Sequence, residues 1–362
     1  MVRLVIATVV TVLALAGPTA AASTDVVAAG FVAVTTGSGS MQISAFRLDG
    51  SAERRLTAGP ADHHYPSLSP DGTQLLYTGD EGGRDEVYTL TVARPTVATR
   101  ITSPPGVADS GSWSPDGRSI TYSALLPGAS AYQIFIAGTD GSHPVQLTHT
   151  ADSGNTQPVY SPDGARIAYI SGETATHPGP NGSTVTGIEN RIWVMAVDGS
   201  GAAPLSTGPL DAYPAWLDSN TILFARSSFL SQSSQIVSAG LDGHVQVLSP
   251  PGQYYVEPKP MPGGKSYGAT QEIGTELHLV KISRADGAAL ANPGAGEFLI
   301  DRLPIPAADG STFSVAWIVT PAQPHAPSSP TSLPPALITL VMVASIALAA
   351  GAAALAYRQL RT

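Results

Sequence analysis

The sequence predicts an all-β fold: a six-bladed β-propeller with a split closing blade, preceded by a signal peptide and followed by one transmembrane helix. Three observations carry the propeller. An identical tetrapeptide, Ser-Pro-Asp-Gly, occurs at Ser69, Ser114 and Ser161, 45 and 47 residues apart. Asp-Gly pairs punctuate the apolar runs between these repeats. Gly 37 and Pro 31 together make roughly 19% of the 362 residues, against about 12% in an average chain, which implies many turns. Hydrophobic residues are 43% and charged residues only 12%, so a large core can be buried and global disorder is excluded.

At the N-terminus, Arg3 precedes the apolar run Leu4 to Ala16, then Gly17, Pro18 and Ala20-Ala21-Ala22. That is the pattern of a secretory signal peptide, residues 1–22, cleaved after Ala22. The run is too short for a comfortable membrane span. Three strands follow: Val27 to Thr35, Met41 to Leu48 and Glu53 to Thr57.

The repeats come next. Each tetrapeptide is preceded by an anchor, Leu68, Trp113 or Tyr160. Each is followed by a β-rich run, such as Leu75-Leu76-Tyr77 or Ile120-Thr121-Tyr122. The pattern persists in degraded form around Trp216, leading into Ile222-Leu223-Phe224, and around Pro260, leading into Ser266-Tyr267. Third strands end at Asp49-Gly50, Asp140-Gly141, Asp198-Gly199, Asp242-Gly243 and Asp286-Gly287. Such pairs predict type I′ hairpin turns, which need φ > 0. Fourth strands end in Leu56-Thr57, Ile101-Thr102, Leu147-Thr148, Leu205-Ser206 and Leu248-Ser249. Four strands per repeat make a propeller blade. Phe313 to Val319 supplies only an opening strand, and the N-terminal stretch only the other three. Joined, they close the ring and leave no free sheet edge.

Beyond the propeller, six of the sixteen residues 320–335 are Pro, which predicts an extended stalk of polyproline II type. Ala336 to Ala356 carries no charge over 21 residues, long enough to cross a hydrocarbon core of ~30 Å. Tyr357, Arg358 and Arg361 follow. The expected organisation is propeller over 26–319, stalk over 320–335, transmembrane helix over 336–357 and cytoplasmic tail over 358–362. By the positive-inside rule the propeller lies outside the membrane.

The absence of cysteine excludes disulfides, thiolate zinc sites, cysteine nucleophiles and a lipid-modified N-terminus. Between the two ends the body carries 15 Lys and Arg against 27 Asp and Glu, which argues against nucleic acid as a partner. No Gly-x-Ser-x-Gly elbow, phosphate loop, His-Glu-x-x-His helix or EF-hand loop occurs, so no catalytic residue is expected.

In a propeller, the loops entering the innermost strands share one face with the second-to-third strand loops, around the central channel. The entering loops carry Asp62-His63-His64-Tyr65, Asp109, His149 with Asp152, Asp211 with Tyr213, and Tyr254 with Glu257. The longest second-to-third connection, Gly172 to Asn190, carries His177 and is expected as a loop bordering the same mouth. This acidic, His-containing rim is the expected ligand-binding site. Carboxylates and imidazoles there would suit a divalent cation.

The repeats resemble those of the TolB family, which read as an aromatic, Ser-Pro-Asp-Gly, a strand and a Leu-Thr ending. The resemblance covers about residues 26–319. The family's namesake has an α/β domain before its propeller, whereas strands begin here almost directly after the signal peptide. The resemblance implies a binding or scaffolding module of the cell envelope, membrane-anchored here, whose partner is a protein, a peptide or a glycan. Propellers of this type also occur in polysaccharide lyases with a His-rich metal site. Metal-dependent glycan cleavage is therefore the alternative function.

Overall fold

The computed structural model describes residues 26–36, 40–47, 52–102, 106–178, 183–228, 231–249, 251–260, 266–273, 276–283, 297–298, 315–321 and 340–341. Every regular element among them is a strand. The N-terminal strands are β1 (Val26–Thr36), β2 (Met41–Arg47) and β3 (Arg54–Arg55). One four-stranded sheet follows as β4 (His63–Leu68), β5 (Gln74–Gly79), β6 (Glu86–Thr91) and β7 (Ala98–Arg100). The next is β8 (Val107–Trp113), β9 (Ser119–Leu125), β10 (Gln133–Gly138) and β11 (Val145–Gln146).

The same meander repeats as β12 (Gly154–Tyr160), β13 (Arg166–Pro178), β14 (Thr184–Ala196) and β15 (Ala203–Pro204). It recurs as β16 (Leu210–Asp218), β17 (Thr221–Ser228), β18 (Ser231–Gly240) and β19 (Val245–Val247), then as β20 (Tyr254–Pro260), β21 (Ser266–Ile273), β22 (Glu276–Ser283) and β23 (Glu297–Phe298). Single parallel bridges, Asn190 to Leu210 and Ser234 to Tyr254, join these last units into one twelve-stranded sheet.

β24 (Val315–Pro321) pairs antiparallel with β1, from Val26 opposite Pro321 to Ala33 opposite Val315. The opening strand at the end of the chain thus completes the sheet begun by β1, β2 and β3. Thr320 and Pro321, expected to start the stalk, end this strand. Of the expected transmembrane segment only β25 (Leu340–Val341) is described, as a two-residue strand beside β24 rather than helix. No helix among the described residues is long and apolar enough to cross a membrane. The signal peptide, the rest of the stalk and span, and the tail lie outside the described residues.

The core sits between successive sheets. Along β5, Leu75 and Tyr77 join Ile43, Ala45 and Leu56 of the preceding unit. Leu76, pointing the other way, joins Ile101 of its own unit and Ile120 and Tyr122 of the following one. β13 alternates likewise, with Ile167 and Tyr169 on one side and Ala168 and Ile170 on the other. This period of two is why each inner strand reads as a continuous apolar run: both its faces are buried. Full burial of each Leu, Ile or Val side chain stabilises by roughly 1.5–3 kcal/mol. The anchors also bond backwards. Trp113 Nε1 donates to the Ser67 carbonyl (3.0 Å) and Trp216 Nε1 to the Val159 carbonyl (3.1 Å), each in the preceding unit.

The turn chemistry repeats in detail. Ser69 Oγ donates to Asp71 Oδ1 (2.6 Å) and accepts from Gln74 N (3.0 Å), while Asp71 Oδ1 accepts from Thr73 N (3.0 Å). Ser114 with Asp116 and Ser161 with Asp163 make the same bonds. The Leu-Thr ending has an equally local cause. The hydroxyls of Thr57, Thr102, Thr148, Ser206 and Ser249 accept from the backbone N–H of Ile43, Val87, Ile134, Ile192 and Ile236 on the third strand.

Two expectations need correction. The Asp-Gly turns at Asp140, Asp198 and Asp242 are not type I′, because only the glycine is left-handed, at φ 81°, 86° and 86°. Each Asp accepts from the N–H two residues on, at Ser142, Ser200 and His244, which holds it in the right-handed region. Asp49-Gly50 and Asp286-Gly287 lie outside the described residues. The expected long loop Gly172 to Asn190 is instead largely a two-stranded ribbon, in register from Gly172 opposite Asn190 to Pro178 opposite Thr184.

Candidate functional site

Each of the innermost strands β4, β8, β12, β16 and β20 is broken by a bulge. Inside each bulge one non-glycine residue is left-handed: Tyr65 (φ 53°), Ser110 (55°), Gln157 (54°), Tyr213 (60°) and Glu257 (60°). Each stands three positions before an anchor, respectively Leu68, Trp113, Tyr160, Trp216 and Pro260. A residue with a Cβ is held there at a cost of roughly 1–2 kcal/mol. Recurrence in one register, on five strands that carry four different residue types at this position, marks a built feature of the fold.

The preceding unit helps to hold it, since Thr78 Oγ1 accepts from Ser110 N and Ser123 Oγ from Gln157 N, both at 3.2 Å. Tyr65, Ser110, Gln157 and Tyr213 converge around the axis, leaving a free volume of only about 10 Å³. That suffices for about one water molecule.

The mouth above it is acidic where β4 meets β8. Asp62 Oδ1 accepts from Met41 N and Asp80 Oδ1 from Asp62 N, both at 2.7 Å. Burial pushes the Asp85 carboxyl up, and Asp80 and Asp62 add to the shift. Burial likewise raises Asp109 to about 7, with Asp85 adding to it and hydrogen bonds from Ser110 and Ser123 opposing. Asp109 Oδ1 is buried without a hydrogen-bond partner. Burial also drives the phenol of Tyr65 well above its ordinary range, with Asp109 and Tyr213 adding to the shift. His64 packs on Tyr65 at 4.6 Å. Burial lowers its imidazole to about 4 despite Asp62 and Asp80, so the ring is neutral at pH 7. Its Nδ1 is buried without a partner.

Other expected rim residues have structural work. His63 is buried, with Nδ1 3.1 Å from Gln42 Oε1 and Nε2 3.0 Å from Glu81 Oε1. The Gln42 amide nitrogen donates to the carbonyls of Gly59 (3.2 Å) and Ala61 (2.9 Å), which turns its oxygen toward His63. His63 therefore clamps the β2 unit to the β4 unit. Asp211 is fully buried and bonds Arg226 through both oxygens, at 2.7 and 2.8 Å. It is a closed ion pair rather than an open rim acid. Glu257 is buried beside Lys259, whose ammonium burial lowers to about 7 against the pull of Glu257. Tyr254 is half-buried at the bridge to Ser234. His149 and Asp152 are exposed on the loop before β12.

The structure thus gathers Asp62, His64, Tyr65, Asp109 and Tyr213 of the expected set around one mouth. Sequence reasoning missed Asp80, Asp85 and Tyr132 on the second-to-third strand loops, and Ser110 and Gln157 at the axis. The register three before the anchor was the available signal for the last two. The side chain of His177 lies outside the described residues. Among the described residues no three of His, Asp and Glu converge to hold a metal ion.

No family model matches the chain. A stretch of 191 residues is 28% identical to the Tol-Pal system protein TolB of Anaeromyxobacter dehalogenans (strain 2CP-C), covering 48% of this chain and 37% of that protein. The same protein from Anaeromyxobacter sp. (strain K) is 27% identical over 191 residues. The match spans little more than a third of the length of these curated relatives. The crystal structure of TolB from Acinetobacter baumannii superposes with a TM-score of 0.56 at 18% identity, over 70% of this chain and 61% of that one. A putative TolB from Agrobacterium tumefaciens gives 0.55 at 17% identity, over 75% and 88%. These solved structures share the fold.

Proposed function

On the premise that this chain is a TolB-like β-propeller, we propose that it is a binding module of the cell envelope which receives a protein or peptide at the channel mouth around Asp62, His64, Asp85 and Asp109. Six blades, the last closed by β24 on β1, form the rigid ring. The signal peptide and the charge-free segment before Arg358 hold that ring outside the membrane, on the stalk. One observation carries the reading. The mouth loops differ from unit to unit and hold carboxylates without cation partners, whereas the opposite end consists of near-identical, internally bonded turns. Recognition loops on rigid scaffolds vary in this way. Among the described residues no side-chain constellation at the mouth favours glycan cleavage over binding.

Charge reversal distinguishes the two ends. Asp85→Lys with Asp152→Lys should abolish crosslinking of the partner in native membranes, while Asp116→Lys at the turn end should leave it intact. The opposite pattern would move the binding surface to the turns. Protease added to intact protoplasts should digest the propeller; a protected propeller would refute the proposed topology.

A further inference from the structure

We propose that the seam between the β4–β6 and β8–β10 units receives a guanidinium or ammonium group, carried on an arginine or lysine side chain of the polypeptide partner. This rests on the mouth being the binding surface, and it names the chemistry that is bound.

Three features of the seam point there. First, the charge is one-sided. Asp62, Asp80, Asp85 and Asp109 cluster, and none forms an ion pair among the described residues. Asp62 and Asp80 use an oxygen each on backbone N–H groups, but the Asp85 carboxylate has no bonded donor of its own. Like charges so placed repel one another until a cation enters. Second, the orphaned atoms are acceptors. Asp109 Oδ1 and Gln157 Oε1 are both buried without a hydrogen-bond partner. Gln157 is 5% exposed and lines the axial constriction. Ser123 lies between the two: it opposes the shift of the Asp109 carboxyl and accepts from the backbone N–H of Gln157. A buried acceptor left unpaired costs roughly 1–3 kcal/mol, so the seam calls for a group with several N–H donors. The planar guanidinium offers five donors and the ammonium three.

Third, the alternatives fit less well. A metal ion needs converging ligands, and the described residues offer no such set of three. One water in the constriction would satisfy an acceptor but neutralise nothing. A long side chain suits the seam: Asp85 and Tyr132 are partly exposed and stand near Asp109, and Gln157 lines the small cavity behind it. Burial raises the phenols of Tyr65 and Tyr132, and the nearby Asp109 charge adds to both shifts.

Calorimetric titration of the full chain in detergent micelles with a hexa-arginine peptide tests this, against a hexa-citrulline peptide and spermine. Asp85→Asn and Asp109→Asn should each weaken hexa-arginine binding by about tenfold or more, as loss of a close charge pair does. Asp116→Asn, which removes the same charge from the turn end, should change it less than about twofold. The side chain of Asp85 makes no internal bond, so that variant keeps the fold. Equal losses in all three variants would reduce the effect to net charge and overturn the site. Equal binding of hexa-citrulline would overturn the need for a cation. Spermine binding as tightly as the peptide would point to a free polyamine and overturn the polypeptide source. If charge reversal still abolishes crosslinking while these titrations are flat, the binding module stands and this inference fails.

Discussion

At the turn end of the propeller the left-handed residues are Gly72, Gly117 and Gly164, at φ 69°, 68° and 72°. At the axis they are Tyr65, Ser110, Gln157, Tyr213 and Glu257. Glycine adopts that conformation at no steric cost, and the turns built on it bond their own serine and aspartate side chains. The axial residues carry the strain instead, and around them lie the orphaned atoms Asp109 Oδ1, Gln157 Oε1 and His64 Nδ1. One end is locally satisfied and repeats; the other is held in place by its neighbours and varies. Strain and unpaired groups survive only where the surrounding structure over-determines them, and such places cluster at functional sites.

The largest effect should come from a turn-end glycine that needs both its φ and its space. A Cβ on Gly141 would collide with the Ile101 carbonyl, besides sitting at φ 81°. Gly141→Val should cost about 3–5 kcal/mol in denaturant unfolding. Gly117 has no such collision, its Cβ position being 3.6 Å from Pro70 Cδ, and Gly117→Val should cost only about 1–3 kcal/mol. Equal losses would mean that φ alone decides, and the packing of one unit's turn on the next contributes nothing.

The two ends should also respond to pH with opposite sign. Asp109 titrates at about 7 in the fold, so its neutral form is favoured there. The stability this supplies is present in full below the ordinary carboxylate range and is lost as pH rises through about 7. Asp109→Asn, permanently neutral, should therefore be more stable than the parent at pH 8 by roughly 1–3 kcal/mol and no more stable at pH 4. The groups facing Asp109 are Asp85, Ser110, Ser123, Tyr65 and Tyr132. Asp71, at the turn end, behaves the other way. Burial opposes ionisation, but hydrogen bonds from Ser69 and Thr73 hold its carboxyl below the usual range. Its contribution is present at neutral pH and is lost as pH falls through the folded value. Asp71→Ala should cost about 0.5–1 kcal/mol at pH 7, allowing for solvent screening, and less at pH 3. Parallel pH profiles for the two variants would erase the contrast.

What could be read from the sequence follows the same division. Ser-Pro-Asp-Gly and the Leu-Thr endings were legible because the tetrapeptide's bonds close within five residues and the hydroxyl cap repeats in five units. The anchors were legible because Trp113 and Trp216 recur in register. Asp211 was misread because its partner, Arg226, sits fifteen residues on in the neighbouring strand. The Gly172 to Asn190 ribbon was misread because Pro178, Gly179, Pro180 and Gly182 look like loop punctuation, although pairing persists up to Pro178 and Thr184. The axial bulges left no common residue type to find, since Tyr (twice), Ser, Gln and Glu fill one structural position.

Those bulges offer the finest comparison of the two ends, at Gln157. Its side chain is buried, its Oε1 is unpaired, and its φ of 54° is one that glycine adopts freely. Gln157→Gly would relieve about 1–2 kcal/mol of backbone strain and remove an unpaired acceptor worth roughly 1–3 kcal/mol. Against this stand the loss of two buried methylenes, about 0.8 kcal/mol each, the cavity they leave, and the greater freedom of glycine in the unfolded chain, about 0.5–1 kcal/mol. The balance should be a small gain, about 0.5–1 kcal/mol in denaturant unfolding, even though the side chain removed is a buried one. Buried large-to-small substitutions elsewhere in the propeller, such as Leu76→Ala, should cost about 2–5 kcal/mol. If Gln157→Gly instead loses more than about 1 kcal/mol, the axial side chains are packing elements like any other. The left-handed register would then be a by-product of the bulge, and the contrast between a satisfied turn end and a strained mouth would no longer hold.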